Sequence, residues 1–317
     1  MAKRVFLGRF LLYLILNIGV VTLLFLSQLL NVSSPMLFSY RLNRALSAIC
    51  AGAIIGFSGI VLQATLRNPL VDHYVLGIGG GALVFSLLAL ILAGPNMLAI
   101  LSTAVLGGLL ALSITVFVAE KTGGSALSYV LSGLGVNSLF SGASFLLSFI
   151  ASRQYRYAPF LLAGSFTSSS GLTAKIVIIA MMFSVATYFA LAKPLNAIIV
   201  SDEHAYNSGY NPRVIRLVAV IVAGSSASIV VGLFGLIGFV GLATPHIARF
   251  LLRTSDHRFT MPLAMTAGSL ITYITDLLSK DLFTLFLHEV PAGAIASLIG
   301  APFFIAIYLR RYSGGRS

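Results

Sequence analysis

The sequence predicts an all-α polytopic membrane protein with about ten transmembrane helices. Of the 317 residues, 58% are hydrophobic and 9% are charged, and the mean hydropathy is +1.00. Soluble domains carry about 25% charged residues. Apolar runs also recur from one end of the chain to the other, each close to the ~20 residues with which a helix crosses a bilayer. These observations indicate an integral membrane protein.

The expected spans are the apolar segments bounded by polar residues, Gly or Pro. The first run follows a basic start and lacks an A-x-A-like cleavage site, which indicates a retained helix and not a signal peptide. With no soluble domain and no long linker, residues 1–317 are expected to form a single transmembrane domain. The spans are residues about 10–30, 45–66, 74–93, 96–119, 126–150, 173–192, 214–234, 236–252, 260–279 and 290–309.

The distribution of basic residues predicts the orientation. An even number of spans places both termini on one side, and most of the 20 Lys and Arg residues fall on that same side. Because positive charge concentrates in cytoplasmic loops, both termini are expected in the cytoplasm, with the chain in the inner or plasma membrane. This bias also explains the net charge of +12. No basic–aromatic platform accompanies the charge, so we expect no nucleic-acid partner.

Acidic residues and histidines give no sign of an internal energy source or a catalytic centre. All eight carboxylates are expected in loops or near helix ends, whereas ion-coupled carriers usually keep one inside the membrane. An enzyme needs acids, histidines or nucleophiles that converge at one depth. An ion-coupled secondary carrier and a membrane-embedded enzyme remain the alternatives to a conduit driven by a partner. The histidines are scattered over separate loops, at positions His73, His204, His246, His257 and His288.

The segment GFVGLATPHIARFLLRTSDHR, residues 238–258, combines a basic cluster with two histidines and an aspartate. His246, Arg249 and Arg253 recur at spacings of three and four and therefore share one helix face. A metal site would need a third ligand, for which only Asp256 is near in sequence. A His/Asp catalytic pair would lack a nucleophile. With Cys50 the only cysteine, no CxxC site exists, and we expect neither a metal nor a cofactor.

Four segments, in this order, resemble the FecCD-type permease subunits of ATP-binding-cassette (ABC) importers for iron chelates, haem and cobalamin. RLNRALSAICAGAIIGFSGIVLQATLRNPLVDHYVLGIGGGA (41–82) is similar to the family block that contains RLPR and RNPLADP. LLAGSF (161–166) resembles the family's MGS turn. GLIGFVGLATPHIARFL (235–251) and EVPAGAIASLIGAPFFIAIYLRR (289–311) resemble its two later blocks. Asn43 and His73 stand where the family pattern has proline.

The resemblance implies a type II ABC importer permease architecture. It implies a dimer of permeases, either homodimer or heterodimer, above two copies of an ATPase subunit, with an extracytoplasmic substrate-binding protein as the third partner. The chain has no Walker A motif, GxxxxGK(S/T), so ATP hydrolysis is expected on the separate subunit. The expected cargo is a ferric siderophore, cobalamin or haem, carried as a whole chelate.

The resemblance also implies roles for individual residues. Basic residues near the second span and before the last one are expected to dock the binding protein, setting docking rate and register more than affinity. The alternative for the two arginines is snorkelling at a helix end. The docking residues are Arg41, Arg44 and Lys280.

Two inner segments are implied in gating and coupling. LRNPLVDH (66–73) contributes Asn68 and Leu70 to a cytoplasmic gate, opposite Leu127 and Ser128 at the start of span five. SDEHAYNSGYNPRVIR (201–216) resembles the family's GEExAxxLGV stretch and is expected to form a short-helix pair that contacts the ATPase. A plain loop is the alternative for each segment. The coupling residues are Asp202, Glu203, Ala205, Gly209, His246 and Arg249.

Overall fold

A computed structural model describes residues 2–30, 32, 34–281 and 289–313, and His288 and Ser317 lie outside this part of the chain. Within it the chain forms helices and no strand. One 3-10 helix spans Ala158–Leu162. The α-helices are α1 (Ala2–Leu29), α2 (Pro35–Thr65), α3 (Ile78–Ala93), α4 (Met97–Lys121), α5 (Ala126–Ser152), α6 (Gly171–Val200), α7 (Asp202–Asn207), α8 (Pro212–Phe234), α9 (Val240–Leu252), α10 (His257–Asp281) and α11 (Ala292–Ser313).

The helices confirm a multi-pass membrane protein with about ten spans. Seven are long and apolar enough to cross a membrane, namely α1, α2, α4, α5, α6, α8 and α10. Helices α3 and α9 are shorter, and so is the apolar part of α11, Ala292–Pro302. Helix α7 is polar and has six residues. The end of the bundle at which α1 begins and α2, α4, α6 and α9 finish is called the termini end, and the opposite one is called the far end.

Helix α2 is the centre of the bundle. Of its most apolar stretch 89% is buried, compared with 0% for α1. It packs against α6, α8, α9 and α10. Small residues allow this, because a Cβ atom placed on Gly52 would lie 2.2 Å from the carbonyl oxygen of Gly268 in α10. Close backbone contact through small residues is the usual way in which membrane helices associate.

Two spans begin with irregular backbone inside the bundle. Residues 66–77 precede α3, and residues 235–239 precede α9. The two segments meet where the side chain of His73 lies beside the backbone of Ile237, and a Cβ on Gly241, in the first turn of α9, would lie 3.1 Å from Nδ1 of His73. Val71, Leu76 and Ile237 are buried around this contact. Irregular backbone is tolerated at membrane depth where protein covers it.

The turn LLAGSF joins three parts of the far end. The N–H of Leu236 donates to the carbonyl of Leu161 at 3.0 Å, and the N–H of Gly293 donates to that of Gly164 at 3.0 Å. Gly164 has φ +69°, and a Cβ there would lie 2.2 Å from the carbonyl oxygen of Leu236. Position 164 therefore requires glycine, both for the left-handed backbone conformation and for the close approach of the Leu236 carbonyl.

Two local predictions were wrong. Helix α2 begins at Pro35 and not near residue 45, because proline is favoured in the first helical turn. Arg41 and Arg44 therefore lie within the helix and not before it. The predicted short-helix pair in 201–216 is a single short helix, α7, because α6 continues to Val200 and α8 starts at Pro212.

The central packing predicts a strong effect of one methyl group. Gly52→Ala would overlap the α10 backbone, and overpacking of this kind costs about 1–3 kcal/mol. Gly19→Ala on α1 is the matched control, since nothing lies within 4 Å of a Cβ at that position. The thermal unfolding midpoint in detergent should fall for Gly52→Ala and stay unchanged for Gly19→Ala. Equal midpoints would contradict the packing.

Candidate functional site

A small depression at the far end brings the three predicted docking residues together. Arg41, Arg44 and Lys280 line it with Gln28 from α1 and Asp276 from α10. The ends of α1 and α10 and the beginning of α2 therefore form a single surface feature. The sequence placed these three residues on one side of the membrane, and the structure places them around one depression.

Arg44 is held inside the chain by two carboxylates. It is 3% exposed, and its Nε and Nη2 donate to Oδ1 of Asp276 at 3.1 and 2.9 Å. Its Nη1 donates to Oε2 of Glu289 at 2.9 Å and to the Tyr40 hydroxyl at 3.2 Å. A buried cation needs such partners, because leaving it unpaired is costly. In this conformation Arg44 joins α2 and α10 to the residues before α11.

Arg41 and Lys280 lie nearer the surface of the same depression. Nη1 of Arg41 donates to the backbone carbonyl of Gln28 at 3.1 Å. Nζ of Lys280 donates to Oε1 of Gln28 at 2.7 Å. Both side chains are half-buried and are anchored to the end of α1. A carboxylate that docked here would meet these two cations before it reached Arg44.

The predicted gate residues lie at the termini end. Asn68 is fully buried, and its Nδ2 donates to the carbonyl of Ala126, the first residue of α5, at 2.9 Å. Its Oδ1 accepts the N–H of Leu70 at 3.0 Å, an Asx turn that fixes the loop after α2. The loop between α2 and α3 is therefore attached to the start of α5, which the family resemblance places opposite it.

Leu127 and Ser128 occupy the first turn of α5. Leu127 is 65% exposed. Ser128 is part of the helix cap, since its N–H donates to Oγ of Ser125 at 3.0 Å and its own Oγ donates to the carbonyl of Thr122 at 3.1 Å. The cap fixes the position of the α5 terminus and leaves Leu127 on the surface.

Helix α7 and the residues that follow it contain four of the six residues expected to contact an ATPase. Asp202 and Glu203 are exposed in its first turn, where carboxylates suit the helix dipole. Ala205 is fully buried beneath the helix. Gly209 has φ +82° and open space around it, as expected for the residue that ends a helix. The N–H of Tyr210 donates to the carbonyl of Ala205 at 2.9 Å, so the chain after α7 folds back onto the helix.

The structure adds two arginines that the sequence did not single out. Nη2 of Arg67 and Nη2 of Arg216 each donate to Oδ1 of Asp202 at 2.6 Å. Arg67 also donates from Nε to the carbonyl of Ile198 in α6 at 2.8 Å. Arg67 lies within the quoted LRNPLVDH segment, but its partner is 135 residues away. No local pattern could have indicated that pairing.

His246 and Arg249 form a group separate from α7. Nδ1 of His246 lies 2.8 Å from the carbonyl of Leu242 on the same helix, and Arg249 donates to the side chain of Gln63 in α2. Helix α9 packs on α2 and α10, whereas α7 packs on α6 and α8. The two groups of predicted coupling residues thus reach different elements.

His257 and Asp256 of the 238–258 segment both contact Asn196 of α6, whereas His246 contacts the backbone of its own helix. Nδ1 of His257 lies 2.6 Å from Oδ1 of Asn196, and Asp256 accepts from Asn196 at 2.7 Å and from Arg258 at 2.6 Å. Burial alone would raise the pKa of Asp256, but hydrogen bonds from Arg258 and Asn196 hold that pKa below its ordinary value. Among the described residues no group of three or more His, Cys, Asp and Glu could hold a metal.

Comparisons with known proteins agree over nearly the whole chain. The sequence profile of the FecCD transport family matches residues 5–310. YfhA of Bacillus subtilis, named as a probable siderophore transport system permease protein, is 32% identical, over 85% of this chain and 80% of its own length. MolB of Haemophilus influenzae, named as a molybdate import system permease protein, is 28% identical, over 90% of this chain and 84% of its own length.

A solved structure shares the fold. It is an inward-facing conformation of a protein assigned to the metal-chelate type of ABC transporters, 26% identical to this chain. The match has a TM-score of 0.80 and covers 94% of this chain and 99% of the other. The similarity confirms the predicted importer-permease architecture.

The pairing of Arg44 predicts unequal effects of two neighbouring substitutions. Arg44→Gln would leave Asp276 buried without its cation, which costs about 3–5 kcal/mol. Arg41→Gln removes one hydrogen bond to a backbone carbonyl, worth about 1 kcal/mol. The thermal unfolding midpoint in detergent should therefore fall much further for Arg44→Gln. Equal shifts would show that the ion pair does not hold α2 and α10 together.

Proposed function

The chain belongs to the FecCD transport family, and we propose that it is the membrane-spanning permease of a binding-protein-dependent ABC importer. It would form the pathway for an iron chelate (siderophore), haem or cobalamin, driven by ATP hydrolysis on a partner subunit. The observation that carries this proposal is the family match over residues 5–310. The positions of the polar groups at the two ends of the bundle support it.

The two ends suit two different partners. At the far end, Arg41 and Lys280 offer cations around a depression, which suits carboxylates of a substrate-binding protein. Arg44 would support that surface from within, and a direct contact would require Glu289 to release its Nη1. At the termini end, α7 presents exposed carboxylates, which suits an ATPase surface. This assignment puts the termini in the cytoplasm and the chain in the inner or plasma membrane.

Helix α5 is the proposed contact with the second permease copy and the border of the pathway. One of its faces carries large exposed apolar side chains, at Leu131, Leu134, Leu139, Phe145 and Phe149. Gly135 and Gly142 have open space where a side chain would be. A second copy of this chain, or of a related permease, would cover this face and create a pathway between the two α5 helices. Two ATPase subunits would then lie beneath the pair.

A secondary carrier is less consistent with the carboxylates. Among the described side chains the buried carboxylates are Asp72 and Asp276. Asp276 is paired with Arg44, and Oδ1 of Asp72 accepts the N–H groups of Tyr74 and Val75 at 3.0 and 2.8 Å. Both therefore have structural partners, whereas a coupling carboxylate must exchange its ion.

A membrane-embedded enzyme is less consistent with the histidines. His73 is buried at the contact between the two irregular segments, whereas His257 is bonded to Asn196 at the start of α10. His204 lies on the exposed surface of α7. Acid–base catalysis needs groups within hydrogen-bond reach of one substrate. These histidines lie on three separate elements.

Uptake by proteoliposomes tests the proposal. The chain is reconstituted with its co-purified ATPase and supplied with binding protein and labelled ferric siderophore, haemin, cobalamin or molybdate. We expect ATP-dependent uptake of one of the first three, and none when the ATPase carries a substituted Walker A lysine. Uptake driven by a proton or sodium gradient without the ATPase would favour the carrier. Uptake of molybdate alone would support the assignment as a permease and contradict the proposed cargo.

A further inference from the structure

We propose that Arg67 is a positioning residue that transmits movement of α7 to the start of α5. The inference rests on the proposed function, in which α7 meets the ATPase and the start of α5 borders the cytoplasmic gate. Arg67 and Asn68 are consecutive residues after α2. The first is bonded to α6 and α7 and the second to α5.

The guanidinium of Arg67 bridges the end of α6 and the beginning of α7. Its Nε and Nη2 both donate to the carbonyl of Ile198. That carbonyl is among the last four of α6, which lack helical partners. Nη2 also donates to Oδ1 of Asp202, the first residue of α7. A displacement of α7 therefore acts on the same guanidinium that is anchored to α6.

The backbone of Arg67 connects the anchored guanidinium to Asn68. Arg67 has φ +47°, in the left-handed region that non-glycine residues rarely adopt. Such a conformation persists where the surrounding contacts hold it in place. Asn68 follows Arg67 directly in the chain, and their N–H groups donate to the carbonyls of Gln63 and Ala64 at the end of α2, at 3.1 Å for Asn68 and 3.3 Å for Arg67. Asn68 is bonded to the carbonyl of Ala126 at 2.9 Å, so the chain of contacts from α7 to α5 is continuous.

Arg216 provides a matched comparison. It donates to the same Oδ1 of Asp202 at the same 2.6 Å, but it belongs to α8 and has no hydrogen bond to Asn68; its link to α5 is the electrostatic interaction of its charge with Tyr129. The side chains are 39% exposed in Arg67, 33% in Arg216 and 54% in Asp202. Ion pairs with this exposure contribute little to folding stability. Substitution of either arginine should therefore spare the fold, and only that of Arg67 should break the hydrogen-bonded path that runs from α7 through Asn68 to α5.

A thiol reporter at the start of α5 tests the inference. Cys50 is buried and can be replaced by alanine, which leaves Leu127→Cys as the only cysteine. In the complex with the ATPase, we expect a non-hydrolysable ATP analogue to change the rate of labelling by a membrane-impermeant maleimide about five-fold or more. Arg67→Gln should remove this response, with ATPase binding and ATP turnover retained. Arg216→Gln should keep it.

Asp202→Asn is the second variant, because it breaks the same link from the α7 side, and it should also lose the response. A full response in both Arg67→Gln and Asp202→Asn would overturn the inference. Equal loss in Arg216→Gln would overturn it too, since Asp202 would then act without Arg67. If the parent complex shows ATP-driven uptake but no response at Leu127→Cys, the inference fails and the proposed function stands. Without any ATP-driven uptake, both fail.

Discussion

The backbones of α2 and α10 approach so closely at Gly52 and Gly268 that no side chain fits between them. This contact buries α2 at the centre of the bundle, and the other helices are arranged around it. Arg44 lies near one end of α2, and Arg67 follows its other end, roughly 30 Å away by helical rise. The far-end depression and the termini-end contacts are thus attached to one helix, which is long enough to span the membrane.

A second constraint, the cost of burying a polar group, explains the partners of Arg44 and Asn68. Inside a membrane a polar group without a partner costs several kcal/mol. Arg44 is therefore neutralised by Asp276 and Glu289, and Asn68 is bonded to the start of α5. Each of these bonds crosses between elements far apart in sequence. Buried polar side chains that need a partner for the fold to form therefore also join helices that a transporter has to move together.

The parts of the fold that depend on composition could be predicted from the sequence. Apolar runs located the spans, and the glycine at position 209 correctly indicated the end of a short helix. The start of α2 was misplaced because residues 35–44 contain two arginines. In this structure Arg44 is neutralised by Asp276 and Glu289, and Arg41 is bonded to the backbone carbonyl of Gln28. The pairings Arg44–Asp276 and Arg67–Asp202 were out of reach, because their partners are 232 and 135 residues apart. Local pattern carries no information on contacts of that range.

We propose that this chain links the docking of a binding protein at the far end to the ATPase at the termini end. It is tested most directly by ATP turnover of the reconstituted complex, measured with and without substrate-loaded binding protein on the far side. The proposed function predicts that the binding protein raises turnover, and the cations around the depression predict that this increase falls with rising salt. ATP turnover that is the same with and without the binding protein at every salt concentration would contradict this proposal.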